Sequence, residues 1–142
     1  MRNGTPVPYE TFEHEADIGI RGAGTTLESA FENAALALYS VVVNVQRVRQ
    51  QEQREVSVSA PDLELLLVEW LNALLSISDI ERMVFSKFTV SISNTSLRGT
   101  AWGEKLDTER HEPGVEVKGA TYHMLSVRQE GEHYLAQCVV DV

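Results

Sequence analysis

Apolar residues recur at three- and four-residue steps in two stretches of the chain and at two-residue steps through much of the remainder. In the first stretch Leu27, Ala30, Phe31, Ala34, Ala35 and Leu38 line one face of a predicted helix, with Glu28, Glu32 and Asn33 outside the stripe. Thr25 and Glu28 have the spacing of a capping box at its start. In the second, Leu63, Leu66, Leu67, Trp70, Leu71, Leu74 and Ile77 form a stripe that Leu65, Val68, Ala73 and Leu75 widen. That breadth predicts a central helix covered on more than one side. Pro61 suits its first turn, and Asp62 and Glu64 suit the positive end of its dipole.

The alternating runs predict strands over residues 7–13, 18–21, 55–59, 85–92, 97–106, 122–128 and 134–142. Gly22 and Gly24 are expected to end the second run before the first helix, and Asn94-Thr95 to turn the meander. A polar loop over residues 107–114 separates that meander from a C-terminal hairpin closed across residues 129–132. Strictly alternating strand–helix units are missing. The pattern therefore predicts an α+β fold: a two-layer sandwich of one mixed or mostly antiparallel sheet with two main helices.

A length of 142 residues with 43% hydrophobic content fits a single domain over residues 1–142. Twenty-one acidic residues against twelve basic ones, only three of them lysines, give a formal charge of −9. That is the wrong sign for a chain that grips phosphate backbones, so no strong direct nucleic-acid binding is expected. Docking on a basic partner and collecting divalent cations both remain open. The lone Cys138 stands in an apolar run beside Val139 and Val140, which suits a reduced, inert thiol in a cytoplasmic protein. Residues 1–6 lack the apolar core of a signal peptide, and no run approaches the ~20 apolar residues of a membrane helix, so no membrane partner is expected.

The candidate chemistry lies at the two ends of the chain. Asp17 follows His14-Glu15-Ala16 where a loop enters the run Ile18-Gly19-Ile20, and Asp141 closes the run Cys138-Val139-Val140. An isolated turn aspartate usually bonds its own backbone. Two carboxylates at the edges of apolar strands are costly to bury without a cation or donors, which suggests one shared anionic site. If Val142 ends the protein, its carboxylate adds oxygen donors. No regularly spaced His/Cys cluster speaks for a structural zinc, so calcium, magnesium or manganese is the expected class. Lys118, set among valine, glycine and alanine, either snorkels at a strand end or offers a cation to a phosphate or to the Asp17/Asp141 cluster. His14 and His123 could each be a ligand, a proton carrier or a structural residue, whereas His111 and His133 read as loop residues. There is no G-x-S-x-G, Walker A or G-x-G-x-x-G sequence, so no independent hydrolytic activity is indicated.

Four stretches give a more specific signal: residues 13–19 (EHEADIG), 65–75 (LLLVEWLNALL), 117–123 (VKGATYH) and 139–142 (VVDV). In their order and spacing, from about Tyr9 to the end, the chain resembles the archease family. The resemblance implies an accessory protein of the RtcB-type RNA ligase, which joins RNA ends in tRNA splicing through a guanylylated histidine of its own. Such a protein promotes ligase guanylylation and multiple turnover, can broaden nucleotide usage, and is not itself an enzyme. It also implies a divalent metal at the positions of Asp17, Asp141 and the terminal Val142, and a functional lysine at Lys118. Two positions depart from the family pattern: Glu15 stands where threonine is common, and Gly119 where alanine is. The alternative is a chaperone or modulator of another RNA-processing enzyme, such as a tRNA methyltransferase, with no metal chemistry. A stand-alone metal-dependent hydrolase is a third class, disfavoured by the missing nucleophile.

Overall fold

In the computed structural model, which describes residues 6–142, the chain begins β1 (Tyr9–His14), β2 (Asp17–Gly24), α1 (Leu27–Val42), β3 (Glu52–Ser59) and α2 (Leu63–Glu81). It continues β4 (Met83–Ser93), β5 (Ser96–Lys105), β6 (Gly119–Ala120), β7 (Ser126–Glu130) and β8 (His133–Asp141). The reading of residues 1–5 as free of a leader lies outside the described residues. The α+β class, the two main helices and the antiparallel pairing all hold. The strands, however, divide between two sheets where the sequence suggests one: a five-stranded sheet ordered β1-β2-β8-β6, with β7 also on β8, and a three-stranded sheet ordered β3-β5-β4. The width of the apolar surface on α2 accounts for the second sheet, since one sheet would leave part of that surface in water. Among the described residues no helix is long and apolar enough to cross a membrane.

Gly22 does not end β2, which runs on to Gly24 and stops there, ahead of α1. The absence of a side chain at Gly22 serves packing: a Cβ there would lie 2.1 Å from Ala34 N and 2.3 Å from Ala30 O, so α1 rests directly on the strand. The capping box of α1 sits one residue later than the spacing suggests. Thr26 Oγ1 accepts from Ser29 N–H at 3.0 Å, and Ser29 Oγ accepts from Thr26 N–H at 3.1 Å, so serine fills the role expected of Glu28. Likewise Asp62, not Pro61, meets the start of α2, accepting from Leu65 N–H at 2.8 Å, with Pro61 one place outside.

The core lies between the helices and the inner sheet faces. Trp70 of α2 lays its ring over Gly99 of β5 and donates its indole N–H to Phe31 O of α1 at 3.1 Å. Glu32 of α1 reaches the other way and accepts Val90 N–H of β4 at 2.9 Å. Val90 thereby has a partner on an edge strand. The predicted strand over residues 122–128 begins only at Ser126, because residues 122–125 turn out of the regular ladder as a bulge, Leu125 N–H donating to Tyr122 O at 3.3 Å. Thr121 donates both its N–H and its hydroxyl to Val139 O, and Met124 takes a left-handed backbone with φ 51°.

Candidate metal centre

The β1–β2 hairpin turns through Glu15 and Ala16, with His14 directly opposite Asp17. So tight a turn needs a left-handed residue, and Glu15 supplies it at φ 54°. β2 then pairs antiparallel with β8 in the register Ile18↔Val140. One step further along that register, the first residue of β2 and the last residue of β8, Asp17 and Asp141, stand side by side on one sheet face. Asp17 Oδ1 accepts a long bond from Val142 N–H at 3.4 Å. On the other flank of β8, Gly119 is the partner of Asp141, and Lys118 N–H donates to Asp141 O at 2.7 Å. Asn72 of α2 secures this flank by accepting Ala120 N–H at 2.9 Å.

Asp17, Asp141, Val142 and Lys118 are thus brought together from three separate parts of the chain. Asp17 is half-buried, Asp141 and Lys118 are exposed, and Lys118 takes no part in the ion pairs formed among the described residues. The lysine therefore does not close onto the Asp17/Asp141 cluster. His123, carried on the bulge, brings its ring to 6.0 Å from that of His14. Among the described residues no group of three or more His, Cys, Asp or Glu side chains converges on a metal-sized point. The oxygen donors that the fold sets near one another are the carboxylates of Asp17 and Asp141, beside Val142. This fits a hard cation that keeps water in its shell, and it does not fit a closed zinc site.

A groove of about 790 Å³ opens beside Lys118, between α2, the end of α1 and residues 113–120. Asn72, Asp79, Arg82 and Glu116 stand along it over an apolar floor that includes Val43 and Met83. The segment forming one wall is strapped to the end of α1: Gly114 and Val115 donate to Val42 O and Val41 O at 2.8 and 3.0 Å, which satisfies carbonyls the helix leaves free.

His111 is not the loop residue the sequence suggests; it is fully buried. Its Nδ1 accepts Asp107 N–H at 2.9 Å, so Nε2 carries the proton and donates to Glu104 at 2.7 Å. Glu104 also accepts Arg49 N–H at 2.8 Å and pairs with Arg110 at 2.6 Å. Burial pushes the Glu104 carboxyl up, but these donors outweigh it and hold the group at about 2. A histidine inside a polar run carries no periodic signal, so only the tertiary structure reveals this anchor. Cys138 conforms to its sequence reading: it is buried, and burial pushes its thiol up to about 12, away from the reactive thiolate.

The comparisons bear on the same segments. The model of the Archease protein family matches residues 9–142. The archease of Pyrococcus abyssi is 49% identical over 139 residues, covering 94% of this chain and 98% of its own. That of Sulfurisphaera tokodaii is 46% identical over 136 residues with the same coverage. The solution structure of Methanobacterium thermoautotrophicum protein 1598 superposes with a TM-score of 0.82 at 39% identity, covering 95% of this chain and 99% of that one. A Thermotoga maritima crystal structure, described as an archease and possible chaperone, shares the fold with a TM-score of 0.62 at 19% identity, covering 100% of this chain and 99% of its own. With a family model spanning nearly its whole length and relatives this similar, the chain belongs to the archease family.

Proposed function

We propose that this protein is an accessory factor of an RtcB-type RNA ligase, promoting ligase guanylylation and repeated turnover through a divalent cation held by Asp17, Asp141 and Val142 beside Lys118. The observation that carries this reading is the meeting of the first hairpin with the last residues of the chain, next to Lys118. Calcium, magnesium or manganese suits such oxygen donors, and an ion of that class supplies charge neutralisation to a transferring phosphoryl group.

The chain's own residues do the rest. Asp17 and Asp141 project from paired strands, so their oxygens are held by the β2–β8 ladder and not by a mobile loop. Lys118, anchored through its own N–H, keeps its ammonium free to meet a phosphate oxygen. The net charge of −9 favours docking on a basic, RNA-handling cytoplasmic partner. No motif in the sequence supplies a nucleophile and its base, so the bond-making step is assigned to that partner. The test is guanylylation of the purified cognate ligase with wild type and with Asp17→Ala, Asp141→Ala and Lys118→Ala. Each variant is expected to lose most of the stimulation while staying folded. Full stimulation by all three would refute the assignment.

A further inference from the structure

The outer face of the β3-β5-β4 sheet has a composition unlike that of the rest of the chain. In register across the three strands, Lys87 stands opposite Trp102, Thr89 opposite Thr100 and Ser91 opposite Arg98, with Glu55 the one carboxylate among the twelve residues of this face's four cross-strand rows. That gives a local charge of +1 in a protein of −9. The other positions are hydroxyl or amide residues, and the large exposed apolar side chains, such as Ile80, Tyr122 and Met124, lie elsewhere. Lys87 Nζ sits 4.9 Å from the centroid of the half-buried Trp102 ring, an arrangement that leaves the indole on the surface with a cation beside it. Arg98 lies four residues from Trp102 on the same strand, roughly 13 Å away at strand spacing, and takes no part in the ion pairs among the described residues.

A dry protein contact wants a central apolar patch, and this face has none. Single-stranded nucleic acid wants an aromatic ring for a base, cations spaced along the strand for phosphates, and polar groups between them for sugars. We infer that this face binds a single-stranded nucleic-acid segment, one base stacking on Trp102 while Lys87 and Arg98 meet different phosphates. Lys87 leaves the indole for its phosphate as the base arrives. The overall negative charge keeps the binding weak and salt-sensitive, in keeping with the absence of strong nucleic-acid binding expected from composition. The inference is carried by this face alone and does not depend on the cation site or on a ligase.

The experiment titrates the isolated protein with fluorescein-labelled U8 and its deoxy counterpart at low salt, following anisotropy and, with unlabelled oligomer, tryptophan emission. Trp70 is fully buried, so quenching reports Trp102. Saturable quenching is expected, with a log–log salt slope of about −1.4 for two neutralised phosphates. Lys87→Glu with Arg98→Glu should weaken binding at least about tenfold, as should Trp102→Ala, while Trp102→Phe retains it by anisotropy. Tighter RNA binding assigns the hydroxyls to the ribose 2′-OH, and equal binding assigns the contact to base and phosphate. Absence of quenching, or binding unchanged in the double charge reversal, would overturn the inference.

Discussion

Glu104 shows how much a single side chain can depend on partners invisible in sequence. It is only 5% exposed, yet it stays ionised because Arg49 N–H, His111 and Arg110 all donate to it. Its carboxyl lies near 2 in the folded protein against an ordinary value of 4.5. A group lowered on folding stabilises fully above its unfolded value and loses that contribution as pH falls through the folded one. Acid unfolding should therefore draw on Glu104 between about pH 4.5 and 2. Glu104→Gln should flatten that limb of the stability–pH curve. Glu104→Ala should cost about 3 kcal/mol in urea unfolding at neutral pH, because buried donors are left without an acceptor. Of these partners only Arg110 announces itself by charge, since Arg49 acts through its backbone N–H; neither the burial of His111 nor its tautomer follows from its neighbours in the chain. Asp17, Asp141 and Lys118 are legible at this scale as candidates, because a polar group at the rim of an apolar run already asks for a partner.

At the scale of elements, periodicity located both helices, since six or seven apolar residues per face leave no rival register. The cap of α1 falls one residue later than its spacing suggests because Thr25-Thr26 offers two equivalent caps, and only backbone geometry chooses between them. Gly22 is ambiguous for a related reason. A glycine that breaks a strand and one that lets a helix approach it look alike until the helix is in place. The two cases predict different costs. Thr26→Ala should lower stability by about 1 kcal/mol, the usual worth of such a cap. Gly22→Ala should cost about 3 kcal/mol, near the top of the overpacking range, because its Cβ would press on the backbone of α1. Urea denaturation of the two variants separates the explanations: equal losses would show that Gly22 is not the contact point. The bulge at residues 122–125 is hard to read, because the adjacent apolar pair Met124-Leu125 is the one break in an otherwise alternating run, while in space Met124 turns left-handed.

At the scale of the whole molecule, topology builds the candidate site. β2 and β8 are neighbours although residues 24 and 133 are separated by both helices and an entire second sheet. Sequence could propose that the chain's ends share a site, but the register that sets Asp17 beside Asp141 belongs to the folded sheet. Division of the strands into two sheets lies beyond pattern reading, since neither the alternation of β3 and β5 nor the continuous burial of β8 names the neighbour a strand pairs with. The most direct measurement is calorimetric titration of manganese into the wild-type protein, Asp17→Asn, Asp141→Asn and the double variant at fixed ionic strength. One ion per chain is predicted for wild type, with each single change weakening binding at least about tenfold and the double change adding little, because either loss dismantles the same site. Undiminished binding in both single variants, or losses that simply add, would contradict a site shared by the two ends of the chain.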